Sequence, residues 1–178
     1  MTHSTTVKTD LITSAHNPAT LLTAALAWYS AGYAVTPTHP DNSKRPMGSW
    51  REYQRQRPSE DALRDWLATG LYTGIGVITG AASDNVELLE IEGPQDALGD
   101  RLASIDEKAR CYPVDMLETW QMLLEGCTEK SAGGGLHIFY RVADEDVSGN
   151  TKLAYANNKV VAETRGQGGF CVVAPTPG

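Results

Sequence analysis

The run Leu88-Leu89-Glu90-Ile91-Glu92 sets two carboxylates at alternating positions within an apolar stretch. Side chains alternate faces along a strand, so Glu90 and Glu92 share one face while Leu89 and Ile91 take the other. Neighbouring carboxylates repel unless solvent or a cation offsets them. Hard divalent cations choose oxygen ligands of this kind. The plainer reading is a half-exposed strand whose glutamates face water.

A second run, Ser131-Ala132-Gly133-Gly134-Gly135-Leu136-His137, brings three glycines into the start of a β-type segment. Glycines let backbone N–H groups approach an anion closely, and an imidazole early in the strand can hydrogen-bond a phosphate oxygen. A flexible hairpin loop beside an ordinary sheet histidine fits the same residues. The third run is Val161-Ala162-Glu163-Thr164-Arg165-Gly166. Alternation puts Glu163 and Arg165 on one face, and a guanidinium fork matches phosphate geometry. An Arg–Glu pair on a solvated hairpin is the competing view. Lys44-Arg45-Pro46, with Trp50 downstream, adds two cations in a Pro-bounded loop. They suit phosphate or template contacts, or simply a solvated basic turn.

These residues need elements to hold them. Residues 1–16 are polar, Thr-rich and without a period, and are expected to fray. Asn17-Pro18 offers an N-cap and a first-turn Pro for a helix whose apolar positions are Leu21, Leu22, Ala25, Leu26 and Tyr29, with Gly32 as its stop. Tyr33 to Thr38 reads as a strand and residues 39–46 as an irregular loop. Ser59 can cap a helix with Leu63, Trp66 and Leu67 on its apolar face. Ile75 to Thr79 and Val86 to Glu92 are β-type runs around a turn at Ser83-Asp84-Asn85. Residues 94–125 read as mostly helical, with Leu117, Trp120, Met122, Leu123 and Leu124 for packing. Leu136 to Val142, Val160 to Thr164 and Phe170 to Ala174 are further strands. This order predicts an α+β sheet domain over residues 17–178.

At 178 residues the chain suits one domain, or a core with a smaller module, and 41% apolar residues can bury a real core. A net charge of -7 argues against a simple basic sleeve for nucleic acid. It does not argue against an enzyme whose carboxylates are neutralised by bound cations. Cys111, Cys127 and Cys171 have no CxxC spacing, which argues against a disulfide framework and against a four-cysteine zinc site. Cys171, inside Phe170-Cys171-Val172-Val173, reads as a buried small hydrophobe. No apolar segment approaches the roughly 20 residues of a membrane span, and no signal pattern opens the chain. A reducing cytoplasm fits best. The Pro175-Thr176-Pro177-Gly178 ending reads as a cut at a linker in a longer protein.

Taken in order, these signals resemble one family. The order is Lys44-Arg45-Pro46 with its Trp, Gly-Val-Ile-Thr-Gly at 76–80, and Glu90-Ile91-Glu92. Gly-Gly-Gly-Leu-His at 133–137 follows, then Glu163-Thr164-Arg165-Gly166 running into Gly169 to Pro175. The pattern, over about residues 20–175, resembles the bifunctional primase-polymerase (prim-pol) domain of the archaeo-eukaryotic primase superfamily. It is most like versions at the N-terminus of helicase-primase replication proteins in actinobacterial phages and plasmids. The resemblance implies an RRM-like sheet joined to an N-terminal α/β module, with the active site in the cleft between them. It further implies that Glu90 and Glu92 match the first acidic motif, His137 the nucleotide-contacting histidine, and Glu163 the third acidic motif. This chain has Glu90 where Asp is usual, Glu163 where Asp is frequent, and Gly135 where many relatives carry Ser. One added methylene changes reach more than ligand type.

The implied reaction is attack of a 3′-hydroxyl on the α-phosphate of a nucleoside triphosphate. Glu90, Glu92 and Glu163 would hold two Mg²⁺ or Mn²⁺ ions. His137, Arg165 and the Gly133-Gly134-Gly135 backbone would bind the triphosphate, assisted by Lys44 or Arg45. The partners implied are single-stranded template or primer DNA, dNTPs or NTPs, and a helicase domain after residue 178, with no membrane. Two other classes use the same residues: a silent single-strand-binding module and a metal-dependent phosphoesterase. Phe139 and Tyr140, the candidate stacking pair, face oppositely by alternation, which weakens the binder.

Overall fold

The computed structural model describes residues 18–41, 43–48, 50–93, 123, 125–131 and 133–177. The expected frayed segment 1–16, the Asn17 cap, Cys111 and, apart from Leu123 and Glu125, the helix expected over 94–125 lie outside the described residues.

Helix α1 spans Pro18–Ser30. Its Leu- and Ala-rich composition favours helix. It stops at Gly32, whose positive φ of 98° accommodates the reversal while the Gly32 and Tyr33 amides bond to the carbonyls of Tyr29 and Trp28. The buried stripe is Leu21, Ala24, Ala25 and Trp28. This shifts the expected stripe, because bulky Trp28 takes the core side and leaves Leu22, Leu26 and Tyr29 at its margin. Strand β1 (Ala34–Pro37) follows. Helix α2 (Glu60–Ala68) begins at Ser59, whose Oγ accepts from the Ala62 amide at 3.1 Å. Leu63 and Leu67 bury beneath it and Trp66 packs at the edge.

The remaining strands are β2 (Ile75–Ile78), β3 (Val86–Ile91), β4 (Cys127–Lys130), β5 (Leu136–Arg141), β6 (Thr151–Ala156), β7 (Lys159–Arg165) and β8 (Phe170–Val173). They form two antiparallel sheets, ordered β1-β2-β8 and β4-β5-β3-β7-β6. The architecture is therefore α+β. Two strands, β4 and β6, have no counterpart in the expected set. The last strand, expected among the late sheet strands, instead completes the small N-terminal sheet. Gly76 permits this: a Cβ there would strike the Phe170 ring and the Cys171 carbonyl.

The two faces of the five-stranded sheet differ. Leu89, Ile91, Leu136 and Ile138 bury one face, with Leu123 and Tyr140 packed against them. The other face carries Val86, Leu88 and Phe139, which join α1, α2 and the small sheet in the main core. Phe139 meets Trp28 at a tilt and Tyr33 edge to face there. Each such fully buried side chain is worth about 1.5–3 kcal/mol of transfer free energy. Farther along that second face the residues turn polar, and there the two sheets part to form a cleft.

The Gly-Val-Ile-Thr-Gly run positions this junction. The Thr79 hydroxyl donates to the Gly166 carbonyl at 2.6 Å, and its amide bonds the Gly169 carbonyl at 2.9 Å. The Ala81 amide donates to Gln167 Oε1 at 2.9 Å. The β7–β8 connection is thereby pinned to the small sheet.

Candidate active site

One transverse row of side chains crosses all five strands of the larger sheet. In register, Glu129 on β4 pairs with His137 on β5, His137 with Glu90 on β3, Glu90 with Glu163 on β7, and Glu163 with Lys152 on β6. Directly opposed residues in an antiparallel pair share a face, so the row is a strip of alternating and clustered charge. Glu92 lies just beyond β3, and its amide extends the ladder to the Val161 carbonyl at 2.9 Å. Arg165, two residues after Glu163, comes to the same face.

Ion pairs hold the row together. Arg165 Nε lies 2.8 Å from Glu90 Oε2, and Arg165 Nη2 lies 2.7 Å from Glu163 Oε1. His137 Nε2 is 3.5 Å from Glu90 Oε1, while Nδ1 is 2.8 Å from Glu129 Oε1. Both ring nitrogens are 3.6 Å from Cys171 Sγ, so the sulfur of the small sheet sits against the ring. Burial alone would raise the Glu90 carboxyl, but His137 and Arg165 beside it prevail and hold its pKa at about 2. Burial alone would lower the His137 pKa; Cys171, Glu129 and Glu90 outweigh it and push the value well above normal. The carboxylates of Glu129 and Glu90 beside its two nitrogens thus favour the imidazolium form.

A cleft of about 370 Å³ opens over this strip. Lys44, Glu90, Glu92, Ser131, Gly133, His137 and Arg165 line it, closed on the far side by Phe170, Cys171 and Val172 of β8. Trp50 packs on Phe170 with ring centroids 6.1 Å apart, backing that wall. Six of the residues singled out from sequence therefore meet at one surface, and Glu163 joins them through Arg165.

Others sit differently. Arg45 is exposed and turned away, bonding Asp41 Oδ2 at 2.9 Å and Ser43 Oγ at 2.9 Å, so Lys44 alone of the pair reaches the cleft. The glycine run is a tight turn more than an open cradle. The Gly134 amide donates to the Ser131 carbonyl and the Gly135 amide to Ser131 Oγ, each at 2.9 Å. Gly135 is small for another reason, since a Cβ there would collide with the Ile91 carbonyl. Glu129 and Cys171 were not singled out as site residues, yet both touch His137. Cys171 is buried as expected.

The residues present suit a hard cation in donor type, since Glu90, Glu163 and Glu92 offer carboxylate oxygens on one face. As placed, Glu90 turns to Arg165 and His137, and Glu163 turns to Arg165. No group of three or more Asp, Glu, His or Cys converges as a metal site among the described residues.

Fold and cleft together define a two-sheet α+β protein that gathers carboxylates, an imidazolium, a guanidinium and a lysine where two modules meet. Such a set suits phosphate groups and their counter-cations. Residues 25–178 match the family model described as bifunctional DNA primase/polymerase, N-terminal, and the chain belongs to that family. A comparison with curated proteins finds no match. Membership brings a DNA primase/polymerase-type activity, that is, nucleotidyl transfer with DNA and nucleotides as substrates. No described helix is long and apolar enough to cross a membrane.

Proposed function

We propose that residues 17–178 form a catalytic domain that makes or extends DNA strands from nucleoside triphosphates, with the cleft above the transverse row as its active site. The observation that carries this is the convergence of Glu90, Glu92, His137 and Arg165 on one cleft, with Glu163 directly opposite Glu90. The 3′-oxygen of a primer, or of a first nucleotide, bonds to the α-phosphorus; the α–β phosphoanhydride bond breaks and pyrophosphate leaves.

In this reading Glu90, Glu92 and Glu163 would hold Mg²⁺ or Mn²⁺, and Arg165, which bonds Glu90 and Glu163 in their absence, would be released to the triphosphate. When bound, such ions lower the pKa of the attacking hydroxyl and neutralise charge on the leaving group. The protein's own part is positioning and charge complementarity. The His137 imidazolium, Lys44 and Arg165 offset the triphosphate charge, and Gly133 leaves the chain close at the cleft rim. The wall of Phe170, Cys171 and Val172 limits water. We place the domain in phage or plasmid replication in a cytoplasm, beside a helicase, on motif resemblance alone.

The silent-binder alternative loses its stacking platform here. Phe139 is only 3% exposed, and Tyr140 lies on the opposite face with its hydroxyl on Glu87. Incubating the purified domain with Mg²⁺ or Mn²⁺, labelled dNTPs and a primed template tests the proposal. Primer extension supports it. Label release without extension makes the cleft a phosphoesterase, and DNA retention without turnover makes it a binder.

A further inference from the structure

The histidine of the row is held by a residue that no motif includes. Glu129 lies on β4, directly opposite His137 in register, and its side chain is only 12% exposed. Its Oε1 is 2.8 Å from His137 Nδ1. Its Oε2 accepts from the Ala174 amide at 3.2 Å, in the segment just after β8. One carboxylate therefore bonds both to the imidazole on the large sheet and to the backbone of the small one, across the junction that forms the cleft. An ionised carboxylate only accepts, so Nδ1 must carry the proton in this pair. The ring's other nitrogen, Nε2, is left near Glu90 Oε1 at 3.5 Å, on the cleft side.

We propose that Glu129 is a positioning residue for nucleotide binding: it fixes the ring of His137 so that Nε2–H points into the cleft, and ties that orientation to the spacing of the two modules. The arm to His137 sets the ring, and the arm to Ala174 ties it to the small sheet. A glutamine offers one acceptor and one donor, so it can serve His137 or Ala174 but not both. A carboxylate bonded to one ring nitrogen of a histidine fixes the ring and sets which nitrogen presents outward. The effect on turnover rests on the polymerase reading; the effect on the ring does not.

The test combines proton and nitrogen NMR of the histidine rings with steady-state kinetics. The chain has 4 histidines, and His137→Gln assigns the ring of interest. Wild type is expected to show a slowly exchanging, downfield Nδ1–H signal from His137. Glu129→Ala is expected to lose it and to raise the KM for dNTP about tenfold, with kcat and template affinity changed less than about threefold. Glu129→Gln, with its carbonyl turned to the ring, is expected to keep the signal and most of the affinity, which also covers the case that Glu129→Ala does not fold. A Nδ1–H signal unchanged in Glu129→Ala, or absent from wild type, overturns the proposal. So does a fall in kcat alone, or failure of Glu129→Gln to restore either readout. Should wild type extend no primer, the polymerase reading fails and the ring signal alone decides the role of Glu129.

Discussion

Glu90 and Glu163 stand directly opposite each other on β3 and β7, and a single guanidinium, that of Arg165, bonds to both at 2.8 and 2.7 Å. Like charges opposed across an antiparallel pair destabilise the sheet. Arg165 offsets that repulsion, and a divalent cation bound between the carboxylates would do the same. On the proposed reading, protein cation and metal would compete for one pair of anions, and the first prediction tests that competition.

Removing the guanidinium leaves both carboxylates without their shared partner. Arg165→Met is expected to lower stability in chelator by about 1–3 kcal/mol, the usual cost of stranding buried polar groups. Added Mn²⁺ is expected to raise its Tm more than that of wild type. Thermal melts with and without Mn²⁺ check this; equal shifts in both proteins mean the carboxylates do not share a cation site.

Glu90 lies at the centre of the row. Glu90→Ala is expected to cut primer extension by more than about 100-fold, the scale of losing one preorganised charge-stabilising group, while far-UV circular dichroism stays native. Near-normal extension by this variant removes the row from the chemistry.

Lys44 and Arg45 are adjacent in sequence, but only Lys44 lines the cleft. Lys44→Ala, at the cleft, is expected to raise the KM for dNTP about tenfold, equivalent to about 1.4 kcal/mol. Arg45→Ala, whose side chain is tied to Asp41 outside the cleft, is expected to leave it unchanged. Side-by-side kinetics decide the matter, and equal effects contradict the geometry.

His137 gives a stability signature with a definite sign. Its pKa is raised in the fold, so its protonation stabilises fully below the ordinary value of 6.5 and that stability is lost as pH climbs toward the folded value. Between about pH 6.5 and 8.5, below the ordinary range of the buried Cys171 and Tyr33, wild type in chelator is expected to lose Tm steadily. His137→Gln is expected to show a flatter profile. Parallel profiles mean the ring is neutral in the folded protein.

The glycine turn separates two kinds of small residue. Gly135→Ala drives a methyl group into the Ile91 carbonyl and is expected to cost about 1–3 kcal/mol. Gly133→Ala meets nothing nearer than Ser131 Oγ at 3.9 Å and is expected to leave the unfolding free energy within about 0.5 kcal/mol of wild type. Denaturant titration of both variants tests the contrast.

Much of the site was legible in the chain because strand alternation is local. The pairs Glu90 with Glu92 and Glu163 with Arg165 needed only the two-residue period to share a face. Register is not local, and it was the register that brought Glu129 to His137 and Glu90 to Glu163. Strand β4 was hidden because Cys127-Thr128-Glu129-Lys130 has little apolar content. Strand β6 was masked because Lys152, Leu153 and Tyr155 are all exposed and its pairing is irregular. The sheet to which β8 belongs was likewise invisible, since Phe170 to Val173 is apolar enough for either. The α1 stripe was misplaced because two faces of that helix are apolar, and the buried one, Leu21, Ala24, Ala25 and Trp28, keeps the same helical spacing.

The small sheet takes two strands from early in the chain and closes with the last one, β8. During synthesis, every strand of the larger sheet leaves the ribosome before the piece that finishes the smaller one. The nascent α1, β1 and β2 must therefore wait, with part of their apolar surface uncovered, for about a hundred further residues. The wall of Phe170, Cys171 and Val172 arrives after every other described residue of the cleft, so a chain stalled before Phe170 lacks that side of it.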